Sequence, residues 1–267
     1  MCVGGEKYAK GACGIDFLRE KCYTERKKGE RVAVDGKEFV LGEHEVLEDM
    51  LIDGLKIVQD TGLYRFTSDS VLLSRFARWK KGDVVADFCA GSGIVGFHFY
   101  ALNKEKAPDM PVTLFEMQDA LCALAEKTAA YNDFNNFAVV RGKLQDLDKG
   151  YHEKFSLILC NPPYERAGTG FDNDDYQKAV CRKEITLNLK EIARAANFAL
   201  KFGGRICMLH RADRLAEVCY TLHEEHIEVK KIQFVGGRVA AKPYLVMVEG
   251  IKGGKPSCEI LETLMNK

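Results

Sequence analysis

Apolar and polar positions alternate along the chain in blocks that predict strands and helices in turn. Seven short apolar runs predict buried strands, at 84–88, 112–116, 138–141, 155–160, 205–209, 229–235 and 245–251. Stretches with a helical period lie between most of them, and predict helices at about 68–77, 94–102, 118–131, 184–201 and 212–225. Ser68 or Asp69 suits the N-cap of the first helix, and Gly203-Gly204 suits the end of the fourth.

This order of elements predicts an α/β fold. Strand–helix repeats of such length form a mostly parallel, doubly wound sheet, here of seven strands with helices on both faces. No helix separates the runs at 229–235 and 245–251, so we expect them to form an antiparallel edge pair.

The first 40 residues differ from the rest of the chain. They are rich in Gly, Lys and Glu, and 25–31 is a run of charges, so we expect a flexible N-terminal extension at 1–40. A basic arm that binds the phosphates of a nucleic acid is the alternative. Short alternating stretches at 41–66 predict a hairpin or cover at the start of a single domain that spans 41–267.

Composition narrows the class of protein. The chain has 267 residues, of which 46% are hydrophobic and 29% charged, as in ordinary globular proteins. A formal net charge of zero gives no overall field that would attract nucleic acid. The ten cysteines contain no CxxC pair, which indicates reduced thiols and a cytoplasmic protein. The chain has no apolar run long enough for a membrane span, and its six histidines lack metal-ligand spacing, so neither membrane nor metal is expected.

Asn161-Pro162-Pro163-Tyr164 directly follows the predicted strand at 155–160. Because adjacent prolines cannot continue a ladder, the chain must turn there, at the sheet edge where open α/β folds bind their ligands. An amide oxygen and a proline carbonyl accept hydrogen bonds from an amino group, and a tyrosine ring stacks on a flat heterocycle. The corner therefore suits a planar amine, although a proline-rich turn can equally be a plain end to a strand.

A glycine-rich turn joins the predicted strand at 84–88 to its helix. Residues 91–96 formally match the dinucleotide-binding pattern GxGxxG. Asp87, however, puts an acid close to the expected place of a pyrophosphate, and an acid suits a cationic ligand better. Glu116, at the end of the next strand, would accept both hydroxyls of an adenosine ribose for either ligand.

Asp87, Gly91, Gly93, Glu116 and 161–164, in this order and spacing, resemble the class I S-adenosylmethionine-dependent methyltransferases that modify amino nitrogens. Four further segments are similar to the bacterial tRNA1(Val) adenine-37 N6-methyltransferase family: 66–73, 203–205, 210–215 and 249–254. The resemblance covers about residues 40–267. It implies a Rossmann-like class I methyltransferase fold, S-adenosylmethionine as cofactor, and tRNA or another RNA as substrate of a protein for which a monomer is favoured.

The resemblance also implies roles for individual residues. An adenine would stack on Tyr164 while the Asn161 oxygen and the Pro162 carbonyl accept hydrogen bonds from its amino group. These bonds aim the nitrogen at the methyl group and stabilise the charge that develops, so no general base is required. The expected cofactor-binding residues are Phe66, Ser68, Asp87, Cys89, Gly91, Gly93, Glu116, Met117, Asp146 and Asn161.

One departure from the family pattern affects the cofactor site. Relatives often have Gly-Asp after the third strand, where this chain has Gly142-Lys143. Because a lysine cannot accept a hydrogen bond from the adenine amino group of the cofactor, Asp146 is expected to do so. The RNA is expected to contact basic residues near the site, namely Arg166, Arg182, Lys183, Arg211, Arg214, Arg238 and Lys242.

Three other functions remain open. A glutamine amide fits the same corner, but protein-glutamine methyltransferases carry an N-terminal helical bundle that residues 1–40 do not resemble. A protein that binds S-adenosylmethionine or RNA without turnover has no reason to retain Asn161 and Tyr164. NAD-dependent oxidoreduction rests on the glycine turn alone.

Overall fold

The computed structural model describes residues 31–34, 37–63, 68–163, 187–237 and 242–266. The helices in these ranges are α1 Ser68–Phe76, α2 Ile94–Asn103, α3 Asp119–Tyr131, α4 Leu189–Ala199 and α5 Leu215–Glu224. The strands are β1 Arg31–Val34, β2 Lys37–Val40, β3 Glu45–Asp49, β4 Lys56–Asp60, β5 Val85–Phe88, β6 Val112–Glu116, β7 Phe137–Arg141, β8 Phe155–Cys160, β9 Leu200–Arg211, β10 Ile227–Gly236, β11 Leu245–Lys252, β12 Glu259–Ile260 and β13 Leu264–Met265.

The main sheet has the order β12-β10-β11-β9-β8-β5-β6-β7. Strands β5 to β9 are parallel, and β11 runs antiparallel to both β9 and β10. This confirms the mostly parallel sheet with an antiparallel pair towards one edge. The short strands β12 and β13 also pair with β10, and two-residue strands are too short to give an apolar pattern that predicts them.

The strand order reverses beside β5. The chain runs from β5 to β6 and β7 on one side, then returns to place β8 and β9 on the other. Ligands of doubly wound folds bind at such a reversal, beyond the carboxyl ends of the strands.

Helices cover both faces of the sheet, as predicted. On one face Ile192 of α4 and Leu222 of α5 pack in a core with Ile158 of β8. On the other face Leu73 of α1 and Phe97 of α2 pack in a second core, and its sheet residues include Leu157 and Leu159. Neighbouring residues of β8 thus point to opposite faces, as the two-residue period of a strand requires.

The predicted helix at 184–201 is too long at both ends, because α4 spans only Leu189–Ala199. Asn188 caps α4, and Asn188 and Glu191 bond each other's backbone N–H groups in a capping box. The helix ends at Ala199, and Gly203, with φ of 75°, lies inside the irregular first part of β9 instead of ending the helix. The predicted helix at 212–225 also starts later, because residues 212–214 form a 3-10 turn before α5.

Two small hairpins precede the main sheet in the chain. Strands β3 and β4 form an antiparallel hairpin, and Val58 of β4 packs against Leu121 and Leu124 of α3. Strands β1 and β2 form another hairpin, whereas residues 1–30 of the predicted flexible extension lie outside the described residues. Among the described helices, none is both long and apolar enough to cross a membrane.

Candidate active site

A cleft of about 850 Å³, which includes its open mouth, lies beyond the carboxyl ends of β5, β6, β7 and β8. The residues that line it are Ser70, Cys89, Ala90, Gly91, Ser92, Ile94, Val95, Phe115, Glu116, Met117, Gln118, Leu121, Gly142, Lys143, Leu144, Gln145, Asn161, Pro163 and Leu187. The position agrees with the expectation for a doubly wound sheet.

The loop after β5 forms one wall of the cleft and depends on glycine. Cys89, Gly91 and Gly93 all have positive φ, of 58°, 57° and 90°. A Cβ atom on Gly93 would lie 2.5 Å from the Phe97 ring and 2.9 Å from Leu114. Gly93 therefore allows helix α2 to start directly against β6, although Gly93 itself does not line the cleft.

Asp87 lies beneath this loop and not in the cleft. Its side chain is fully buried, and its Oδ2 atom accepts a hydrogen bond of 2.8 Å from the backbone N–H of Gly96. Burial raises the pKa of Asp87 to about 8; the bond from Gly96 opposes this shift and the charge of Glu116 adds to it. Burial therefore favours the neutral acid over the negative charge that the sequence suggested. Its contact favours a role in orienting the loop.

Titration of Asp87 predicts a pH dependence of stability. The native group binds a proton up to about pH 8, whereas an unfolded aspartate releases its proton near about pH 4. Since the native state binds more protons between these values, the contribution of Asp87 to stability is lost as pH rises through this window. Asp87→Asn cannot titrate and keeps an oxygen for Gly96. We expect its free energy of unfolding in urea to fall less from pH 5 to pH 8 than that of the parent; parallel curves would contradict the assignment.

Glu116 ties the ends of β5 and β6 together. Its Oε2 atom accepts from the backbone N–H of Gly91, and Oε1 accepts from those of Met117 and Gln118, all at 2.9 Å. Burial raises the pKa of this carboxyl, and the three backbone bonds oppose the shift. A carboxylate offers about four acceptor positions. Since backbone groups use three of them, one position remains for a ligand hydroxyl where the sequence predicted bonds to two.

Asn161 lines the cleft and has a buried acceptor without a partner in the described part of the chain. Its Nδ2 atom donates a 3.0 Å hydrogen bond to Oγ of Ser70. Its Oδ1 atom is buried and has no hydrogen-bond partner among the described residues. A buried amide oxygen without a partner costs free energy, which a ligand N–H group in the cleft would recover.

The chain after β7 supplies residues that the sequence did not single out. Lys143 and Gln145 line the cleft and Asp146 does not, although all three are exposed. All three belong to the turn at 142–146, so the strand end was a usable signal, but only the three-dimensional turn shows which of them line the cleft.

The predicted site residues thus fall into groups. Cys89, Gly91, Glu116, Met117 and Asn161 come together around the cleft. Pro162 is buried and does not line it, while Pro163 does. Phe66, Tyr164 and the side chain of Ser68 lie outside the described residues. Sequence reasoning missed Ser70, Gln118 and Gln145.

Comparison with known proteins decides the family. Residues 66–230 match the family described as Methyltransferase small domain, which is more than half of the chain. The chain belongs to the methyltransferase small-domain family. It is an S-adenosylmethionine-dependent methyltransferase with the Rossmann-like fold that the resemblance implied.

Both known enzymes and solved structures are similar to this methyltransferase. The tRNA1(Val) (adenine(37)-N6)-methyltransferase of Shewanella sediminis is 22% identical over 183 residues, which cover 67% of this chain and 72% of that protein. The enzyme of that name from Porphyromonas gingivalis is 24% identical over 162 residues, 58% of this chain and 61% of its own length. Among solved structures, a predicted O-methyltransferase from Agrobacterium tumefaciens has a TM-score of 0.56 at 19% identity and covers 74% of this chain and 86% of its own. P. horikoshii TYW2 in complex with MeSAdo has a TM-score of 0.54 at 13% identity, with 81% and 75% covered.

The cleft of the methyltransferase fits its cofactor on two observations. Glu116 keeps one acceptor position for a ribose hydroxyl, and the loop at Gly91 lets the ligand approach the backbone. No group of His, Cys, Asp and Glu side chains within the described ranges could hold a metal ion.

Of the basic residues expected to contact RNA, three lie among the residues that the structure describes. Arg166, Arg182, Lys183 and Arg238 lie outside the described residues, and Lys242 is exposed. Arg211 pairs with Asp213 and the buried Arg214 pairs with Glu217, so both guanidinium groups already have carboxylate partners in this methyltransferase. His210 is buried, and burial together with the charge of Arg214 lowers its pKa to about 4.

Proposed function

We propose that this methyltransferase transfers a methyl group to N6 of an adenine in RNA, with tRNA as the substrate. The observation that carries the proposal is the buried Oδ1 atom of Asn161, a residue that lines the cleft, because this oxygen has no partner among the described residues. An adenine amino group is a donor of the shape that such an acceptor needs. The names of the similar bacterial proteins support RNA as the acceptor class.

The residues of the cleft would act by position and charge. S-adenosylmethionine supplies an electrophilic methyl group on a positively charged sulfur. Oδ1 of Asn161 would accept a hydrogen bond from the amino group and so aim the nitrogen at the methyl carbon. This oxygen would also stabilise the positive charge that develops on the nitrogen. The methylated amine then loses a proton readily, so no residue has to act as a base. The stacking role of Tyr164 is part of the proposal.

Other residues would hold the cofactor. Glu116 would accept a hydrogen bond from a ribose hydroxyl of the cofactor. Met117 and the loop with Cys89 and Gly91 would enclose the cofactor, since all of them line the cleft. Gly93 and Asp87 act through the shape of that loop. Phe66 and Ser68 are proposed to complete this surface.

Gln145 replaces Asp146 in our proposal for the cofactor adenine. Gln145 lines the cleft beside Lys143, and its amide oxygen can accept a hydrogen bond from the adenine amino group. The Lys143 ammonium is a donor and suits a ring nitrogen instead. The exposed Asp146 takes no direct part.

Gln145→Ala is expected to weaken the binding of S-adenosylhomocysteine about two- to tenfold, the value of one hydrogen bond. Titration calorimetry at neutral pH measures this change. Asp146→Asn is the matched control, because it alters the next side chain without touching the cleft, and it should bind as the parent does. Weaker binding by Asp146→Asn with parent-like binding by Gln145→Ala would reverse the assignment.

The function is tested by transfer of labelled methyl groups to total tRNA and, separately, to total protein, followed by analysis of nucleosides and amino acids. We expect N6-methyladenosine in the tRNA fraction. Methylated glutamine without N6-methyladenosine would overturn the proposal, because a glutamine amide offers the same N–H donors to Asn161.

A further inference from the structure

Ser70 and Asn161 meet in the cleft although they lie far apart in the chain. Ser70 belongs to the first turn of α1, its side chain is buried, and it lines the cleft. The Nδ2 atom of Asn161, just beyond β8, donates to its Oγ atom at 3.0 Å. The residue pair therefore joins the helix before the sheet to the corner proposed to bind the methyl acceptor.

The Ser70 hydroxyl can donate or accept, and in this structure it accepts from the nitrogen end of the Asn161 amide. A side-chain amide has an oxygen that accepts and a nitrogen that donates, and rotation by half a turn exchanges them. A nitrogen that faced an amino group would oppose one donor to another. Because Nδ2 is engaged with Ser70, Oδ1 is left as the atom without a partner among the described residues.

Helix α1 holds Ser70 firmly in place. Leu72 and Leu73 are buried in the core, and one turn after Ser70 the Oγ atom of Ser74 lies 2.7 Å from Nδ1 of His98. His98 is buried in α2, the helix that follows the glycine loop. Ser70 and Ser74 lie on the same face of α1. Through these two residues that face contacts both Asn161 and helix α2.

We propose that Ser70 is a positioning residue that fixes the Asn161 amide with its oxygen towards the methyl acceptor. This inference rests on the proposed function of Asn161. Ser70 itself touches neither the acceptor nor the methyl group in this role, so its loss affects the rate of transfer and not the binding of the cofactor.

The kinetic test compares Ser70→Ala with Ser70→Thr. We expect Ser70→Ala to lower the single-turnover rate of methyl transfer about 10- to 100-fold, because a misplaced group loses the gain from orientation. Its affinity for S-adenosylhomocysteine stays within about twofold of the parent. Ser70→Thr keeps the hydroxyl and recovers most of the rate. In the Asn161→Ala background, Ser70→Ala adds no further loss, because the two residues act as one unit.

A spectroscopic measurement separates this inference from the proposed function. The protein is labelled with ¹⁵N-asparagine, and the side-chain signal of Asn161 is assigned as the one that is lost in Asn161→Ala. We expect the NH₂ protons of Asn161 to exchange slowly with solvent in the parent protein. In Ser70→Ala they should exchange at least about tenfold faster, on the scale of one lost hydrogen bond. Equal exchange in both proteins overturns the positioning role whatever the substrate is. Parent-like transfer by Asn161→Ala overturns the proposed function instead, while changed exchange in Ser70→Ala would still support the contact.

Discussion

Asn161→Ala is expected to lower methyl transfer to tRNA at least about 100-fold, the loss that follows removal of one hydrogen-bond partner to developing charge. The variant lacks the buried Oδ1 atom that has no partner among the described residues and the Nδ2 atom that bonds Ser70. Cofactor affinity should change by less than about twofold, because a single contact of this kind acts on the acceptor and not on the ribose or adenine. Single-turnover rates and calorimetry with S-adenosylhomocysteine measure the two effects.

Two further variants sharpen this result. Asn161→Asp keeps an acceptor oxygen but cannot donate to Ser70, so its rate should lie between those of the parent and Asn161→Ala. Asn135→Ala removes an exposed asparagine whose side chain donates to the nearby carbonyl of Asp133 in the loop before β7, and it should transfer methyl groups at the parent rate. Transfer by Asn161→Ala at the parent rate would show that the acceptor binds elsewhere.

The sheet was predictable because its signals are local. Each strand from β5 to β11 carries an apolar run, and each run is bounded by helix or turn residues. The start of α4 also has a local signal, the capping-box spacing of Asn188 and Glu191, but the predicted helix began at 184 and missed it. The first part of β9 has no such signal, because its irregular pairing with β8 depends on contacts made only in the folded sheet.

The site was predictable where a residue occupies the end of a strand. Glu116 is the last residue of β6 and Asn161 follows β8, and parallel strands bring their carboxyl ends to one edge. The environment of each side chain could not be predicted in this way. Asp87 is equally close to a strand end, but the close approach of α2 buries it and changes its charge. Ser70 reaches Asn161 only through the packing of α1 against α2.

The resemblance supplied what local chemistry could not. The segment 66–73 indicated that the start of α1 matters, without a reason for any one residue. The contact between Ser70 and Asn161 gives that segment a physical connection to the acceptor corner. Lys143 stands where relatives often have an acid. The turn after β7 brings Gln145 into the cleft, where Asp146 was expected.

Arg205→Met is expected to lower the free energy of unfolding by about 3–5 kcal/mol, the usual effect of breaking a buried ion pair. Arg205 and Asp83 are 3% and 5% exposed, with Nη2 and Oδ2 2.7 Å apart. Asp83 also accepts from the backbone N–H of Lys80 and from Oγ of Ser156, and Arg205 donates to the carbonyl of Arg78. Removing the guanidinium leaves a buried carboxylate whose charge has lost its partner, and urea unfolding at neutral pH measures the loss.

The additional change Asp83→Asn tests whether charge causes this loss. The double variant Arg205→Met/Asp83→Asn keeps an amide oxygen for the same network but has no charge to bury, so it should recover a measurable part of the stability. Failure to recover any of it would assign the loss to packing around the Arg205 side chain. Asp83 precedes β5 and Ser156 is the second residue of β8, so the network lies at the amino ends of the strands, opposite the cleft. Arg205→Met should therefore bind S-adenosylhomocysteine normally below its unfolding transition, whereas Asn161→Ala should fold normally and fail to transfer. These opposite outcomes would locate stability and chemistry at opposite edges of one sheet.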